Sequence, residues 1–278
     1  MLLYTNLKKI ATLIFATTLL SSCIDQPQST KNIYPENPDY HFNEPDNIWE
    51  LPNTLKEISG ITLLNDSIML CQQDEEGYLY FYNLKSKQVE QKIRFDSDAD
   101  YEDITIADNA IFILRSNGWI YAIGDKNNIT EPVIYKTGLA LKNDPEGICF
   151  DSSTNSLLIA CKNQTGLKNS GKYDKAVYAF DLTTNKLSTE PALIFSLKHF
   201  GPSAIAIHPL TKHIFILSAS KNKVIEFNSS GTILFENDLK HPQFKQPEGL
   251  AFSTNGDLYI SNEGKSGKAN ILFFRNMK

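Results

Sequence analysis

"DPEGICF" (residues 144–150) and "QPEGLAF" (residues 246–252) each set a glutamate and a glycine at the head of an apolar, strand-like run. Three further segments align with them without gaps: "SGITL" from Ser59, "EDITI" from Glu102 and "SAIAI" from Ser203. The five starts, at 59, 102, 146, 203 and 248, lie 43, 44, 57 and 45 residues apart. A period in the forties built from short strands is the mark of a β-propeller, in which each repeat is one four-stranded blade.

Each period divides alike. In the second, "EDITIAD", "NAIFILRS", "WIYAIGD" and "EPVIYKT" are four runs rich in Ile, Val, Phe and Tyr, broken at Asn and Gly. The last period supplies three such runs, "GLAFS", "DLYISN" and "NILFFRN". Its fourth strand is expected from "DNIWELP" (residues 46–52), whose pairing with the last repeat closes the ring and removes two open sheet edges. The expected fold is all-β: a five-bladed propeller over residues 46–278, closed by an N-terminal strand. The alternative, six blades, needs a unit that the repeat does not supply.

The first strand of a propeller blade lies nearest the axis, so the residues that open it ring one mouth of the central channel. That column reads Ser59, Glu102, Glu146, Ser203, Glu248, and two residues upstream a second reads Glu57, Asp100, Asp144, Gly201, Gln246. Residues two apart share a side of an extended chain, so both columns face one funnel. Gly60, Gly147 and Gly249 follow the first column, with Ala204 in the fourth repeat, because strands crowding the axis leave little room for a Cβ. Asp103 breaks that rule and implies a wider gap at its position.

Glu57, Asp100, Glu102, Asp144, Glu146 and Glu248 thus converge with no Arg or Lys in either column. Like charges held together raise each other's pKa or recruit a cation. Oxygen ligands without His or Cys favour Ca²⁺ over zinc. Asp74, Asn163 and Glu263, near the ends of second strands, are candidates for further oxygens.

The stretches "EISGITL", "DEEGYLYFYNL", "DYEDITI", "DPEGICF" and "QPEGLAF" resemble the SdiA-regulated (YjiK-like) family of bacterial exported β-propellers. More distantly, the layout is similar to NHL-repeat and gluconolactonase-like propellers. The resemblance implies the fold and an exported location, and no particular chemistry.

The N-terminus reads as a targeting segment. Lys8 and Lys9 precede an apolar run, residues 10–20, too short to span a bilayer. It leads into Leu20-Ser21-Ser22-Cys23, which resembles a bacterial lipobox. Residues 1–22 are therefore expected to be a lipoprotein signal peptide and Cys23 the lipidated residue that anchors the chain to the cell envelope. Residues 23–45, polar and proline-rich, are expected to form a flexible tether. Among the remaining cysteines, Cys71, Cys149 and Cys161 each sit in an apolar run. They read as buried free thiols, a Cys149–Cys161 bridge being the alternative.

With 27 basic and 32 acidic residues dispersed along the chain, a nucleic-acid surface is not expected. The loops "NQTGLKNSGKYDKA" (163–176) and "NEGKSGKA" (262–269) carry Lys168, Lys172, Lys265 and Lys268, candidates for holding a small anionic ligand. His199 and His241, in connectors leading to the fourth and fifth repeats, are the candidates for a general base. Two functional readings stay open. One is a monomeric binding or scaffolding module, with Ca²⁺ at the channel mouth and a small anionic ligand or an envelope protein as partner. The other is a calcium-dependent hydrolase of a lactone or phosphoester, by analogy with gluconolactonase-like and phytase propellers.

Overall fold

The computed structural model describes residues 34–125 and 131–278. Five antiparallel sheets follow one another along the chain, and in each the three inner strands pair with their neighbours in sequence. Blade 1 comprises β2 (Ile58–Leu63), β3 (Ile68–Gln73), β4 (Tyr78–Asn83) and β5 (Gln88–Arg94). Blade 2 comprises β6 (Tyr101–Ala107), β7 (Ala110–Arg115), β8 (Trp119–Ile123) and β9 (Val133–Lys136). Blade 3 has β10 (Pro145–Asp151), β11 (Ser156–Cys161) and β12 (Asp174–Asp181), with an outer edge split into β13 (Lys186–Leu187) and β14 (Leu193–Ser196). Blade 4 has β15 (Ala204–Ile207), β16 (Ile214–Ser218), β17 (Lys223–Phe227) and β18 (Ile233–Asp238). Blade 5 has β19 (Pro247–Phe252), β20 (Leu258–Asn262) and β21 (Asn270–Phe274).

The ring closes as expected. The fourth strand of blade 5 is β1 (Asn47–Glu50), antiparallel to β21 with Trp49 opposite Ile271. Trp49 Nε1 then donates to Leu84 O of blade 1 at 2.8 Å, so the closing strand is stitched to both sides of the seam. Among the described residues the only helix is a single 3₁₀ turn, Asn53–Leu55. The extra length of the third repeat goes partly into the loop after β11 and partly into the break between β13 and β14.

Apolar side chains alternate along the strands and pack blade against blade, so the core is divided among seams rather than gathered at one centre. Leu70 and Leu79 of blade 1 meet Ile104, Ile111 and Tyr121 of blade 2. Ile148 and Ile159 of blade 3 meet Phe112 and Leu114 of blade 2. Cys71, Cys149 and Cys161 are buried as free thiols in three different seams, those of blades 5 and 1, 3 and 4, and 2 and 3.

The tether has to be shortened. Of the stretch expected to be flexible, residues 34–45 are described and lie on the ring. Tyr40 and Phe42 are each only 3% exposed, packed among Phe215, Phe244 and Phe274 at the seam of blades 4 and 5. Tyr40 Oη donates to Gly256 O at 2.5 Å, and Glu236 N donates to Pro35 O at 2.9 Å. The two buried rings and these backbone bonds fasten the segment to the ring, which composition alone did not weigh. The expected signal peptide and Cys23 lie outside the described residues, and no helix among the described residues is long and apolar enough to cross a membrane.

Candidate functional site

The Glu-Gly pair has a local cause. In blades 1, 2, 3 and 5 the pairing of first and second strands slips by one residue, between Ile58 and Gly60, Tyr101 and Asp103, Pro145 and Gly147, and Pro247 and Gly249. The skipped residue is in each case the column residue: Ser59, Glu102, Glu146 or Glu248. A β-bulge of this kind turns one side chain out of the ladder, and three of these four are glutamates aimed at the channel mouth. Where the column residue is serine it ties blades instead. Ser59 Oγ donates to Tyr101 O and Ser203 Oγ to Pro247 O, both at 2.9 Å and both on the next blade.

The glycine that follows is a matter of space. A Cβ at Gly60 would fall 2.7 Å from Asp103 Cα, and one at Gly147 would fall 2.8 Å from Ile205 N, backbone of the next blade in each case. Asp103 occupies the same position in blade 2 without a wide empty gap, because its own carboxyl fills the room. Oδ1 accepts from Ile104 N at 2.8 Å and Oδ2 from Ile148 N of blade 3 at 2.9 Å. Complete burial pushes this carboxyl well above the usual range, against the pull of the two amides.

The glutamates open into a cup of about 260 Å³ lined by seven carboxyl side chains, Asp74, Asp100, Glu102, Asp144, Glu146, Glu248 and Glu263. Ser59, Ser203, Gln246 and Lys162 complete the wall. Glu57 is not part of the lining: its carboxylate lies 3.3 Å from the Lys56 ammonium, behind Asp74 and Glu263, whose pKa values it raises. Asn163 also lies outside, its Nδ2 donating to Asp144 Oδ2 at 2.9 Å. The residue that reaches the cup is its neighbour Lys162. Strand pairing sets Gln73 opposite Ile58, Cys161 opposite Pro145 and Asn262 opposite Pro247, so Asp74, Lys162 and Glu263 stand at equivalent positions one step beyond. Reading the residue directly after each second strand would have found it.

Lys162 corrects the expectation of an uncompensated cup. Its Nζ sits 2.7 Å from Glu146 Oε1. Its stem runs over Gly201, where a Cβ would come within 2.9 Å of Lys162 Cγ, which accounts for glycine in the second column of blade 4. Burial works against the ammonium, but Glu146, Asp144 and Glu248 outweigh it and raise its pKa.

One cation does not neutralise seven acids. Burial, then Glu146 and Asp100, holds Glu102 well above the usual carboxylate range. Burial, then Glu146 and Glu263, pushes Glu248 up to about 8. Burial, then Asp74 and Glu57, pushes Glu263 up to about 7, and burial, then Glu75 and Glu57, pushes Asp74 up to about 6. Glu146 is raised by burial despite its lysine. Asp74 Oδ1 is buried with no hydrogen-bond partner among the described residues. As they stand, no three His, Cys, Asp or Glu side chains among the described residues are gathered closely enough to hold a metal ion.

The other expected groups sit elsewhere. Neither His199 nor His241 lines the cup: the His199 ring packs 5.9 Å from Tyr173, and His241 Nδ1 accepts from Gln243 N at 3.3 Å. Lys268 pairs with Glu50 at 3.0 Å on the closing strand, and Lys168 and Lys265 are in the lining of neither the cup nor the cavity of the blade 3 loop. Lys172 lines a separate cavity in the blade 3 loop.

Five bulged or serine-tied inner strands around an acidic mouth define a five-bladed β-propeller with a charged cup on its axis. The chain belongs to the SdiA-regulated family, whose description matches residues 38–266. Among curated proteins none matches the sequence. Solved structures of similar shape include Myxococcus xanthus glutaminyl cyclase (TM-score 0.59, 11% identity, 84% of this chain and 97% of that one). A PQQ-bound aldose sugar dehydrogenase from Streptomyces coelicolor is also similar (TM-score 0.53, 10% identity, 84% and 97%). A third is virginiamycin B lyase from Staphylococcus aureus with quinupristin (TM-score 0.52, 15% identity, 84% and 89%). At these identities the likeness concerns the fold.

Proposed function

We propose that this is a binding module of the bacterial cell envelope, held there by a lipid on Cys23, and that the acidic cup takes a Ca²⁺ ion. The observation that carries the reading is the convergence of seven carboxyl side chains on about 260 Å³ with Lys162 as the one lysine in the lining. Calcium accepts six to eight oxygens in flexible arrangements. Glu102, Glu146 and Glu248 project from bulges on three different blades, so small rotations of each would carry their carboxylates toward a shared ion. Bound calcium would then relieve the repulsion that holds these acids above their usual pKa. The anchor reading draws on Lys8, Lys9, the short apolar run and the Leu20–Cys23 sequence.

A second reading, a calcium-dependent hydrolase, is favoured by the burial and crowding of acids that push Glu248 up to about 8 and Glu263 up to about 7, where a carboxyl can exchange a proton at neutral pH. It lacks the histidine base first expected, since neither His199 nor His241 reaches the cup.

The test is a thermal melt of the full-length chain in detergent, in excess EDTA and then in millimolar Ca²⁺. At a hundred times its dissociation constant a ligand adds about 2.7 kcal/mol to the native state, a shift of several degrees. We expect a shift with Ca²⁺ that is lost in Glu102→Gln/Glu248→Gln. Identical melts in EDTA and calcium would rule the metal site out.

A further inference from the structure

Beside the cup, the blade 3 loop encloses a cavity of about 540 Å³ of opposite character. Lys142, Lys172 and Lys175 line it, with Asp174 as its one acid. That acid is engaged locally, since Asp174 Oδ2 accepts from Gly171 N at 2.6 Å. Among the described residues none of the three lysines is paired with a carboxylate. The loop is anchored at its base: Tyr178 Oη donates to Thr165 O at 2.5 Å, Asn143 Nδ2 donates to Gln164 O at 3.0 Å, and Thr165 is 1% exposed. Lys175 is fixed as well, its Nζ donating to Lys162 O at 2.5 Å while burial lowers its pKa.

The cavity shares a wall with the cup. Asn163 lines the basin and binds Asp144 of the cup, and the lysine that lines the cup, Lys162, offers its carbonyl to Lys175 of the basin. We infer that this basin is an anion subsite, which accepts a phosphate or carboxylate group of a small ligand lying across the mouth of the ring. The ammonium groups are point charges on flexible stems and suit a compact anion. Seating an anion at the wall also sets it where a cation in the cup would attract it. The inference deepens the reading of this face as the binding face by naming the chemistry of the ligand. Of the lysines expected from sequence, Lys172 lines the basin together with Lys142 and Lys175, and Lys168, Lys265 and Lys268 are not in its lining.

The experiment is calorimetric titration of the full-length chain with inorganic phosphate and, separately, citrate, in EDTA at fixed ionic strength set by chloride. We expect saturable binding that weakens by at least about tenfold in Lys142→Gln/Lys172→Gln, one lost charge-assisted contact being worth that much. Lys268→Gln should leave it unchanged. Absence of saturable binding, or equal affinity in the double variant, overturns the subsite. The calcium melt of the unsubstituted chain separates the two ideas. A calcium shift with no anion binding sinks the basin alone, whereas anion binding without any calcium shift sinks the metal and leaves the basin standing.

Discussion

The two mouths of the central channel are made by the same five strands and could hardly differ more. In "EGICF", Glu146 stands in the cup, and Phe150, four residues on, stands at the opposite mouth. There Leu63, Ile106, Phe150, Ile207 and Phe252, one from each blade, rim a pit of about 220 Å³. One turn of the pleat deeper, Ile61, Ile104, Ile148, Ile205 and Leu250 are 1–3% exposed. The upper mouth gathers groups that repel one another; the lower one gathers groups that water expels. Each inner strand therefore divides its work along its length. Its apolar half holds the blades together, and that burial offsets the unfavourable charge collected at the bulge above.

Damage to the lower half should be the most severe. Ile148→Ala removes three buried carbons at the seam of blades 2 and 3, and such truncations destabilise by about 2–5 kcal/mol. For a domain of this size that is a fall in Tm of about 5–15 °C. Denaturant unfolding would measure it. A loss below about 1 kcal/mol would mean that the lower mouth does not hold the ring, and the contrast between the two ends would fail.

The repeat made the ring, its closure and the acidic mouth readable before any coordinates, because Glu102, Glu146 and Glu248 recur in phase with the apolar positions. What pairing alone decides was not readable. The bulges that turn these glutamates inward exist only relative to β7, β11 and β20. Lys162 was overlooked in favour of its neighbour Asn163, because only the pairing of Cys161 with Pro145 fixes which residue stands first beyond that second strand. Asp103 looked like a misfit in a glycine column, since its partner, the Ile148 amide, lies 45 residues away on another blade. Tyr40 and Phe42 fall in a proline-rich stretch with no period, and their burial depends on a seam formed by the last two blades.

Within the cup the most informative single change is Lys162→Met, which keeps the stem over Gly201 and removes the charge. Glu146 has a side chain 11% exposed, and the lysine side chain is 41% exposed, so solvent screens the pair in part. The expected loss at pH 7 is about 1–2 kcal/mol, less in 1 M salt, because a largely buried carboxyl is left facing six others. If stability is unchanged at low salt, Lys162 is a bystander and the cup is neutralised by protons alone.

The smallest effect tests those protons directly. Glu248 is pushed up to about 8 in the fold, against roughly 4.3 for an exposed glutamate. Between those values the folded chain holds a proton that the unfolded chain has lost, so stability falls as pH rises through the window. Glu263, at about 7, and Asp74, at about 6, act in the same direction. His208 acts the other way: burial, then His213, lowers it to about 4, so its contribution is lost as pH falls below about 6.5. A wild-type pH profile mixes both signs, but the difference between wild type and Glu248→Gln cancels the histidine. In EDTA and low salt the two proteins should melt together at pH 5. By pH 8 to 9 the variant should melt higher by about 2–4 °C, the equivalent of roughly 1 kcal/mol. A variant that melts lower than wild type at pH 9 would mean that Glu248 is charged and held by favourable partners. The acidic mouth would then stabilise the fold as the apolar one does.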